Sequence, residues 1–278
     1  MPELPEVETI RRGLKIALEG KRIARVEVRR RDLRIPVPDN FELAIVGRRV
    51  DSLGRRGKYL LLNLDNGRVL IIHLGMSGRM LIEPSAKRSN VAALHEHVVF
   101  ELEDGTRIRF SDPRRFGLMA LGEQATLDKH PFFLDMGPEP LSESFNADSL
   151  HAALKMKRTP IKAALLDQHV VAGLGNIYVC EALYRAGISP RRLAMTVSKP
   201  RIVKLVDAIR MVLLEAIEAG GSTLKDYARA DGELGYFQHR FAVYDRAGEP
   251  CPTCDCKSGV AHIVQSNRST FYCAKRQR

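Results

Sequence analysis

The chain has 278 residues, of which 45% are apolar, which is enough for one large domain or two domains of ordinary size. No segment reaches the roughly 18 consecutive apolar residues of a membrane-spanning helix, and the acidic start MPELPEVETI lacks the apolar core of a signal peptide. These features predict a soluble protein of the cytoplasm, without a transmembrane helix or a signal peptide.

Positive charge is in excess and is unevenly spread along the chain. Lysine and arginine number 44 against 33 acidic residues, a formal net charge of +11. Residues 21–58 contain twelve of the basic side chains and five acidic ones, and the chain ends in AKRQR. Such patches are typical of a surface that binds phosphate groups, although charges that are merely solvated would give the same composition.

The first half of the chain predicts one helix followed by short strands. Apolar residues recur at helical spacing in residues 3–19, with Pro5 in the first turn and Gly20 at the exit. From about 22 to 121 the pattern changes to strands, and the turn sequences DNG and DGT each separate two of them. This spacing favours a β-sandwich or a β-barrel.

The second half is predominantly helical. Residues 122–141 are rich in proline and glycine and predict a loop at a domain boundary. Helices are predicted over about 146–156, 159–168, 176–186 and 199–219. Residues 220–245 are polar and contain glycine, which predicts a loop, and the last segment predicts a small β-hairpin between two cysteine knuckles.

The N-terminus offers a possible nucleophile. Removal of Met1 would leave Pro2 with a free secondary amine, and an α-amino group has a pKa of about 7.7–8.0. Such an amine can form a Schiff base with a carbonyl-like carbon, and the Glu3 carboxylate beside it can move protons. Because many proteins begin with Met-Pro, this start alone does not establish catalysis.

Four further segments carry residues that suit DNA, each with an ordinary structural explanation as well. Arg114 and Phe116 in SDPRRFG point the same way if the loop is extended, which suits insertion into a base stack, whereas an ion pair and a core phenylalanine would also fit. Asn176 in GLGNIY is predicted as a helix N-cap, at a place that also suits a phosphate. The remaining candidates are Lys58 in RRGKYLL and His73 and Met76 in HLGMSG.

Cysteines near the C-terminus predict a metal site with one ligand in question. Cys251 and Cys254 form a C-x-x-C knuckle, but the second knuckle has only Cys273, because Arg276 stands where its partner belongs. Structural zinc takes four ligands. Cys256 is the nearest possible substitute, although the C-x-C spacing from Cys254 is expected to strain it, and His262 is the other, although it is expected on a strand away from the knuckles. A water or an anion could complete the shell instead, or the finger could fold without metal.

These segments occur together and in a particular order. The chain resembles the bacterial formamidopyrimidine-DNA glycosylases from residue 2 to 278, and the resemblance rests on MPELPEVETIRRGL, RRGKYLL, HLGMSGRM, SDPRRFG, GLGNIY, GGSTLKDY and NRSTFYC. It implies an α+β fold in three parts. These are a β-sandwich with flanking helices (1–132), a helix–two-turn–helix domain with a loop that closes over the damaged base (133–240), and a zinc-finger-type β-hairpin (241–278).

The resemblance also implies an activity and its residues. The activity is excision of oxidised purines, such as 8-oxoguanine and formamidopyrimidines, from duplex DNA, followed by β,δ-elimination at the abasic site. The implied catalytic residues are Pro2 as nucleophile, Glu3 as acid/base, Lys58 as proton donor and Arg268 in δ-elimination. The implied DNA contacts are His73, His95, Arg114, Lys157 and Asn176, and the implied void-filling residues are Met76, Arg114 and Phe116. A monomer with one structural zinc ion, held by Cys251, Cys254 and Cys273, is expected.

Two further functions remain open from the sequence. The related endonuclease VIII branch shares the Pro-Glu start, so the preferred lesion could be an oxidised pyrimidine. A DNA-binding protein without catalysis could use the same basic residues and finger. Nothing in the sequence disables Pro2, Glu3 or Lys58, which favours the enzyme.

Overall fold

The computed structural model describes residues 2–87, 93–222, 230 and 235–278. The chain divides into two compact units. The first comprises Met1–Leu134 and Ala219–Tyr236, and the second comprises Asp135–Glu218 and Phe237–Arg278. None of the helices in these described ranges is long and apolar enough to cross a membrane.

Among its described residues, the first unit contains eight antiparallel strands. They are β1 (Ile23–Val28), β2 (Val50–Arg56), β3 (Tyr59–Leu64), β4 (Arg68–His73), β5 (Arg79–Glu83), β6 (Glu96–Leu102), β7 (Arg107–Ser111) and β8 (Leu118–Glu123). One sheet has the order β1-β6-β7-β5 and the other the order β2-β3-β4-β8. Short antiparallel strands joined by tight turns were predicted for this region, and they are confirmed.

Both sheets bury side chains in one hydrophobic core. Leu62 and Ile72 from the second sheet belong to the same buried cluster as Phe100 and Ile108 from the first. Helix α1 (Leu4–Leu18) adds its apolar stripe to this cluster and packs against β2, β3 and β5, and the short helix α2 (Phe41–Ile45) packs against β1. The unit is therefore the predicted β-sandwich with flanking helices.

The second unit contains four helices and one hairpin. They are α3 (Ala147–Leu154), α4 (Ile161–Leu166), α5 (Asn176–Ala186), α6 (Lys199–Glu218), β9 (Ala261–Gln265) and β10 (Arg268–Tyr272). Helix α5 packs against α4, α6 and β10, so the helices and the hairpin share one unit. Short 3₁₀ turns occur at Ser85–Lys87, Gln124–Lys129, Ala194–Thr196 and Phe237–Arg240.

The predicted boundaries and the packing units divide the chain differently. Residues 219–236 cluster with the sandwich and the hairpin clusters with the helices, whereas the sequence suggested three consecutive parts. The division into 1–132, 133–240 and 241–278 stays a prediction about domains. Of the loop predicted to close over the base, 223–229 and 231–234 lie outside the described residues.

Candidate functional site

The N-terminus of the first unit is buried and is held by one carboxylate. Pro2 is buried, and Glu3 is the N-cap of α1 with 3% of its surface exposed. Oε2 of Glu6 accepts the Glu3 backbone N–H at 2.9 Å. Its Oε1 accepts the backbone N–H and the hydroxyl of Ser222 at 2.8 and 3.1 Å. Glu6 therefore ties the predicted nucleophilic end to Ser222, which follows α6 along the chain.

Glu6 was not singled out from the sequence, although a local signal existed. A glutamate three residues after a helix N-cap commonly accepts the N-cap backbone N–H, as in a capping box. The spacing of Glu3 and Glu6 fits that pattern and predicts the first contact of this carboxylate. The second contact joins residues 216 positions apart, so no local pattern predicts it.

Lys58 and His73 lie on neighbouring strands of the second sheet. Lys58 occupies the two-residue turn before β3, and the first residue of β3, Tyr59, pairs with His73 at the end of β4. The rings of Tyr59 and His73 lie 4.8 Å apart, and both Lys58 and His73 are 8% exposed. Burial, with the positive charges of Lys58 and Arg34, lowers the pKa of His73 to about 4.

His73 is consequently neutral at pH 7, and its tautomer follows from its contacts. Nδ1 accepts the backbone N–H of Gly75 at 2.9 Å, so the ring proton resides on Nε2. A neutral imidazole in this state can donate a hydrogen bond from Nε2 to an oxygen acceptor. Such a donor suits a phosphate oxygen without bringing a buried charge.

Arg34 is a second residue that sequence reasoning missed. It is exposed, and its positive charge is close enough to act on the pKa of both His73 and Tyr59. Its backbone N–H donates to the carbonyl of Gly117 at 3.1 Å, which fixes the segment beside the loop that carries Arg114 and Phe116. Its place within the basic stretch 21–58 was the only signal in the sequence.

Buried Asp112 organises the loops that follow β4 and β7. Its side chain is fully buried, accepts the Ser77 hydroxyl at 2.5 Å, and accepts the Gly117 backbone N–H at 2.7 Å. The Asp112 backbone N–H donates to the carbonyl of His95 at 3.1 Å. His95 is exposed and has a φ of 63°. The side chain and the backbone of Asp112 thus hold together three segments that were predicted to contact DNA.

The residues predicted to fill the void are carried by loops in direct contact. Gly75 has a φ of 62°, and a Cβ there would lie 2.3 Å from the carbonyl carbon of Phe116, so only glycine fits. Met76 is half-buried, Arg114 is exposed and Phe116 is 44% exposed. The guanidinium carbon of Arg114 lies 4.8 Å from the Phe116 ring centroid.

Two details of this loop differ from expectation. The φ of 57° at Arg115 makes the segment a turn, so the extended conformation that would align Arg114 and Phe116 does not occur, although the two side chains still project together. A core position for the phenylalanine is also wrong, because Phe116 is substantially exposed. The ion pair in this loop belongs to Arg115, which contacts Asp32 at 2.8 Å.

In the second unit, Asn176 is not the helix cap that was predicted. Gly175 is the N-cap of α5, and Asn176 is its first helical residue. Its side-chain Nδ2 donates to the carbonyl of Ser269 at 2.9 Å and reaches the Tyr244 hydroxyl at 3.4 Å. Its Oδ1 is buried without a hydrogen-bond partner among the described residues. The side chain joins α5 to the hairpin instead of capping its own helix.

Arg268 begins strand β10 at the tip of the hairpin and is exposed. The tip is a two-residue turn in which Ser266 and Asn267 have φ values of 50° and 58°, as in type I′ turns. Next to it, the buried ammonium of Lys162 donates to the Ser269 carbonyl at 2.9 Å and to the Thr270 hydroxyl at 2.7 Å. Helices α4 and α5 therefore both hold the strand that presents Arg268.

Lys157 has an acidic partner within the helical unit. Its Nζ lies 2.7 Å from Oδ2 of Asp167. Burial acts to raise the pKa of Asp167, but the hydrogen bond from Lys157, the backbone hydrogen bond from His169 and the nearby positive charge of Lys157 together keep that pKa below its usual value. A phosphate contact by Lys157 would have to share or replace this ion pair.

The cysteine cluster contains four thiols, not three. The Sγ atoms of Cys251, Cys254, Cys256 and Cys273 all lie within 4.8 Å of one another. Cys273 Sγ is 3.5 Å from Cys254 Sγ and 3.6 Å from Cys256 Sγ. Four thiolates around zinc at about 2.3 Å would be separated by about 3.8 Å, so this donor set fits a tetrahedral zinc site. The expectation that the C-x-C spacing disfavours Cys256 is wrong.

Two other residues considered for the metal site lie elsewhere. The ring of His262 stacks on Phe271 of the hairpin with centroids 4.9 Å apart and takes no part in the thiol cluster. Arg276 packs its guanidinium over the Tyr184 ring, 4.9 Å from the centroid. Position 276 supplies no thiol, and of the two substitutes considered, Cys256 is the one that lies in the cluster, because its loop brings its Sγ to 3.6 Å from that of Cys273.

Two family models match most of the chain. Residues 1–119 match the formamidopyrimidine-DNA glycosylase N-terminal domain, and residues 136–228 match the formamidopyrimidine-DNA glycosylase H2TH domain. Curated proteins named formamidopyrimidine-DNA glycosylase from Ruegeria pomeroyi and Rhodospirillum rubrum are each 57% identical to the chain, with 100% of both chains covered.

Solved structures agree with these matches. The MutM (Fpg) protein of Thermus thermophilus is 41% identical, with 99% of this chain and 98% of that chain covered, at a TM-score of 0.88. An Fpg mutant of Lactococcus lactis, in complex with DNA containing Fapy-dG, is 32% identical over 100% of both chains at a TM-score of 0.90.

Proposed function

The chain belongs to the formamidopyrimidine-DNA glycosylase family, and we propose which lesion it removes and which residues carry the reaction. It is a DNA glycosylase of base-excision repair, in a family whose enzymes also cleave the abasic site. Its proposed substrates are 8-oxoguanine and formamidopyrimidines in duplex DNA. It acts as a monomer in the bacterial cytoplasm.

Pro2 and Glu3 carry the first chemical step. The unprotonated amine of Pro2 attacks C1′ of the damaged nucleotide, the N-glycosidic bond breaks, and the base leaves with a proton. Glu3 moves protons beside this amine. The observation that carries the proposal is the buried Pro2–Glu3 start, whose backbone is held by Glu6 at 2.9 Å. A fixed N-terminus places a nucleophile in one orientation.

The lyase steps follow from the charge of the intermediate. After the base has left, the C1′–O4′ bond breaks and O4′ takes up a proton, which opens the sugar ring and leaves an iminium cation on Pro2. This cation accepts the electron pair that is released when a proton leaves C2′, and the C3′–O bond then breaks in β-elimination. Lys58 supplies a proton in this step. Arg268 binds phosphate and assists the δ-elimination that breaks the C5′–O bond.

The remaining residues hold the extruded nucleotide and the duplex. Extrusion of a base costs a few kcal/mol, and Met76, Arg114 and Phe116 offset part of this cost by filling the gap. Their support is the direct contact between their loops. The phosphate contacts are assigned to His73, His95, Arg114, Lys157 and Asn176, and they orient the DNA without reading its sequence.

A zinc ion bound by the four cysteines stabilises the finger structurally. Cys251, Cys254 and Cys256 come from one short loop, and Cys273 comes from the end of the hairpin. The ion would therefore tie that loop to β10. The geometry supports the assignment, because the four Sγ atoms lie within 4.8 Å of one another.

Borohydride trapping tests the chemical step. A duplex with 8-oxoguanine opposite cytosine is incubated with the enzyme and borohydride, and the trapped peptide is identified by mass spectrometry. We expect a covalent adduct on the N-terminal peptide at Pro2, and no adduct with protein whose Met1 is retained. The absence of an adduct, or an adduct on another peptide, would refute Pro2 as nucleophile.

The same protein tests the lesion class. Excision rates are compared for 8-oxoguanine and thymine glycol, each opposite its normal partner. Faster removal of thymine glycol would favour a preference for oxidised pyrimidines. Binding without excision of either lesion would favour the non-catalytic DNA-binding protein.

A further inference from the structure

Arg276 stands three residues after Cys273, where a second C-x-x-C knuckle would end, but it faces a tyrosine. Its Nε donates to the backbone carbonyl of Tyr184 at 3.2 Å, and its guanidinium carbon lies 4.9 Å from the Tyr184 ring centroid. Tyr184 belongs to the last turn of α5. A cation at the C-terminal end of a helix is favourable, because the carbonyls there lack helical partners.

The hydroxyl of Tyr184 reaches the proposed metal site. It lies 3.3 Å from Sγ of Cys251 and 2.8 Å from Oγ1 of Thr253, and the side chain is buried with 3% exposed. A phenol has one proton to donate and lone pairs to accept. A thiolate can only accept, so beside a metal-bound Cys251 the phenol donates to Sγ and accepts from Thr253. This is the position of an outer-shell hydrogen-bond donor.

Gln277 holds the same segment to the same helix end. Its Nε2 donates to the carbonyl of Ile188 at 3.0 Å, and its Oε1 accepts the backbone N–H of Cys273 at 2.8 Å. The segment after Cys273 is therefore attached to the end of α5 by side-chain hydrogen bonds on both Arg276 and Gln277. No thiol at position 276 is needed for that attachment.

We propose that the Tyr184 hydroxyl donates a hydrogen bond to Cys251 and so acts as an outer-shell donor to the metal site, and that Arg276 positions Tyr184. In this site Cys256 is the ligand that a cysteine at position 276 would otherwise supply. The proposal rests on the zinc site described under Proposed function. Outer-shell donors orient metal ligands, and their removal typically lowers metal affinity about 10- to 100-fold. The cysteine cluster and α5 thereby become one coupled structure.

Metal binding, not catalysis, is the measurement that tests this. Full-length protein is prepared with Cys256→Ser, Tyr184→Phe or Arg276→Ala, and zinc affinity is measured by competition with a chromophoric chelator. Cobalt(II) spectra report the ligand set. Tyr244→Phe is the matched control, because it removes a hydroxyl that contacts Asn176 in the same unit. Arg278→Ala is the control for loss of a neighbouring cation.

The expected results separate ligand from outer-shell roles. Cys256→Ser changes the four-thiolate cobalt spectrum. Tyr184→Phe keeps that spectrum and one metal per chain but binds zinc about 10- to 100-fold more weakly. Arg276→Ala weakens binding about two- to fivefold, the size of an exposed cation–π contact. Both controls bind zinc as the unchanged protein does.

Three outcomes would overturn parts of this account, and they are distinguishable. If the unchanged protein binds no zinc, the proposed zinc site fails together with this inference. If it binds one zinc but Tyr184→Phe matches it in affinity, only the outer-shell role is wrong. An unchanged cobalt spectrum in Cys256→Ser would exclude Cys256 as a ligand. Circular dichroism of each variant identifies any loss of affinity that comes from unfolding.

Discussion

His73 illustrates at the residue scale how position decides charge. An exposed histidine has a pKa near 6.5, but burial beside Lys58 and Arg34 lowers that of His73 to about 4. The unfolded chain therefore takes up a proton on this residue as pH falls below about 6.5, while the folded chain stays neutral until about pH 4. The contribution of His73 to the free energy of unfolding is therefore fully present above a pH of about 6.5, and it is lost as the pH falls from about 6.5 to about 4.

This linkage predicts a specific effect of replacing His73. Between a pH of about 7 and about 4.5 the unchanged protein should lose about 2 to 3 kcal/mol of unfolding free energy through this one group. In His73→Gln the loss over the same range should be smaller by about that amount. Urea unfolding at both pH values measures it, with His95→Gln, an exposed histidine, as control. An equal acid sensitivity in His73→Gln would contradict the assignment.

At the scale of elements, helix α5 connects much of the second unit. Its buried Glu181 accepts the backbone N–H groups of Ala242, Val243 and Tyr244 at 2.8–2.9 Å. Asn176 at its start contacts β10, and its last turn contacts the cysteine cluster. Charged acceptors of several backbone donors make strong, well-oriented contacts. The segment before the finger is thus fixed independently of any metal.

The hairpin is accordingly held from two ends, and this bears on Arg268. Lys162 and Asn176 hold β10 beside Arg268, whereas the cysteines lie at the other end of the strand. We expect Arg268→Ala to lower the rate of abasic-site nicking by at least about tenfold, the size of losing a charge-stabilising donor. Metal removal by chelator should lower it less, because Arg268 stays in place.

To separate the contribution of the Arg268 guanidinium from that of the metal-held scaffold, nicking rates are compared for the unchanged protein, Arg268→Ala and chelator-treated protein. Arg246→Ala, which removes an arginine of the same unit paired with Glu249, is the control for loss of charge. A larger loss with chelator than with Arg268→Ala would mean that the scaffold, and not the guanidinium, limits cleavage.

At the scale of the whole molecule, the net charge of +11 favours association with DNA. Neutralising phosphates releases counterions, so affinity falls as salt rises, with a slope of about 0.9 per phosphate contact on logarithmic axes. Basic side chains that already pair with carboxylates contribute less, as for Arg49, which contacts Asp51 at 2.8 Å. The dependence of affinity on salt therefore measures how many phosphates the protein contacts, and not its net charge.

Arg34 offers a test of this distinction. Because it is exposed beside His73, we expect Arg34→Ala to weaken duplex binding uniformly across sequences and to reduce the salt slope by about one. Arg49→Ala should leave the slope unchanged. Fluorescence anisotropy titrations over a series of salt concentrations measure both variants. Equal slopes for Arg34→Ala and the unchanged protein would remove Arg34 from the DNA contacts.

Local pattern and motif order were sufficient for much of this protein. Apolar spacing predicted α1, α5 and α6 and the succession of strands, because helices and strands bury side chains with fixed periods. Motif order identified the family, and with it Pro2, Glu3 and Lys58 as candidate catalytic residues. The short turns DNG and DGT marked two hairpins because their φ/ψ requirements are local.

Tertiary structure decided whatever depends on residues that are distant along the chain. Cys256 completes the thiol cluster because its loop folds onto Cys273, Glu6 meets Ser222 across 216 positions, and Asn176 turns to Ser269 instead of capping α5. The charge of His73 likewise depends on which groups bury it. Periodicity describes one element at a time, whereas ligand sets, pKa values and hydrogen-bond partners depend on which elements meet.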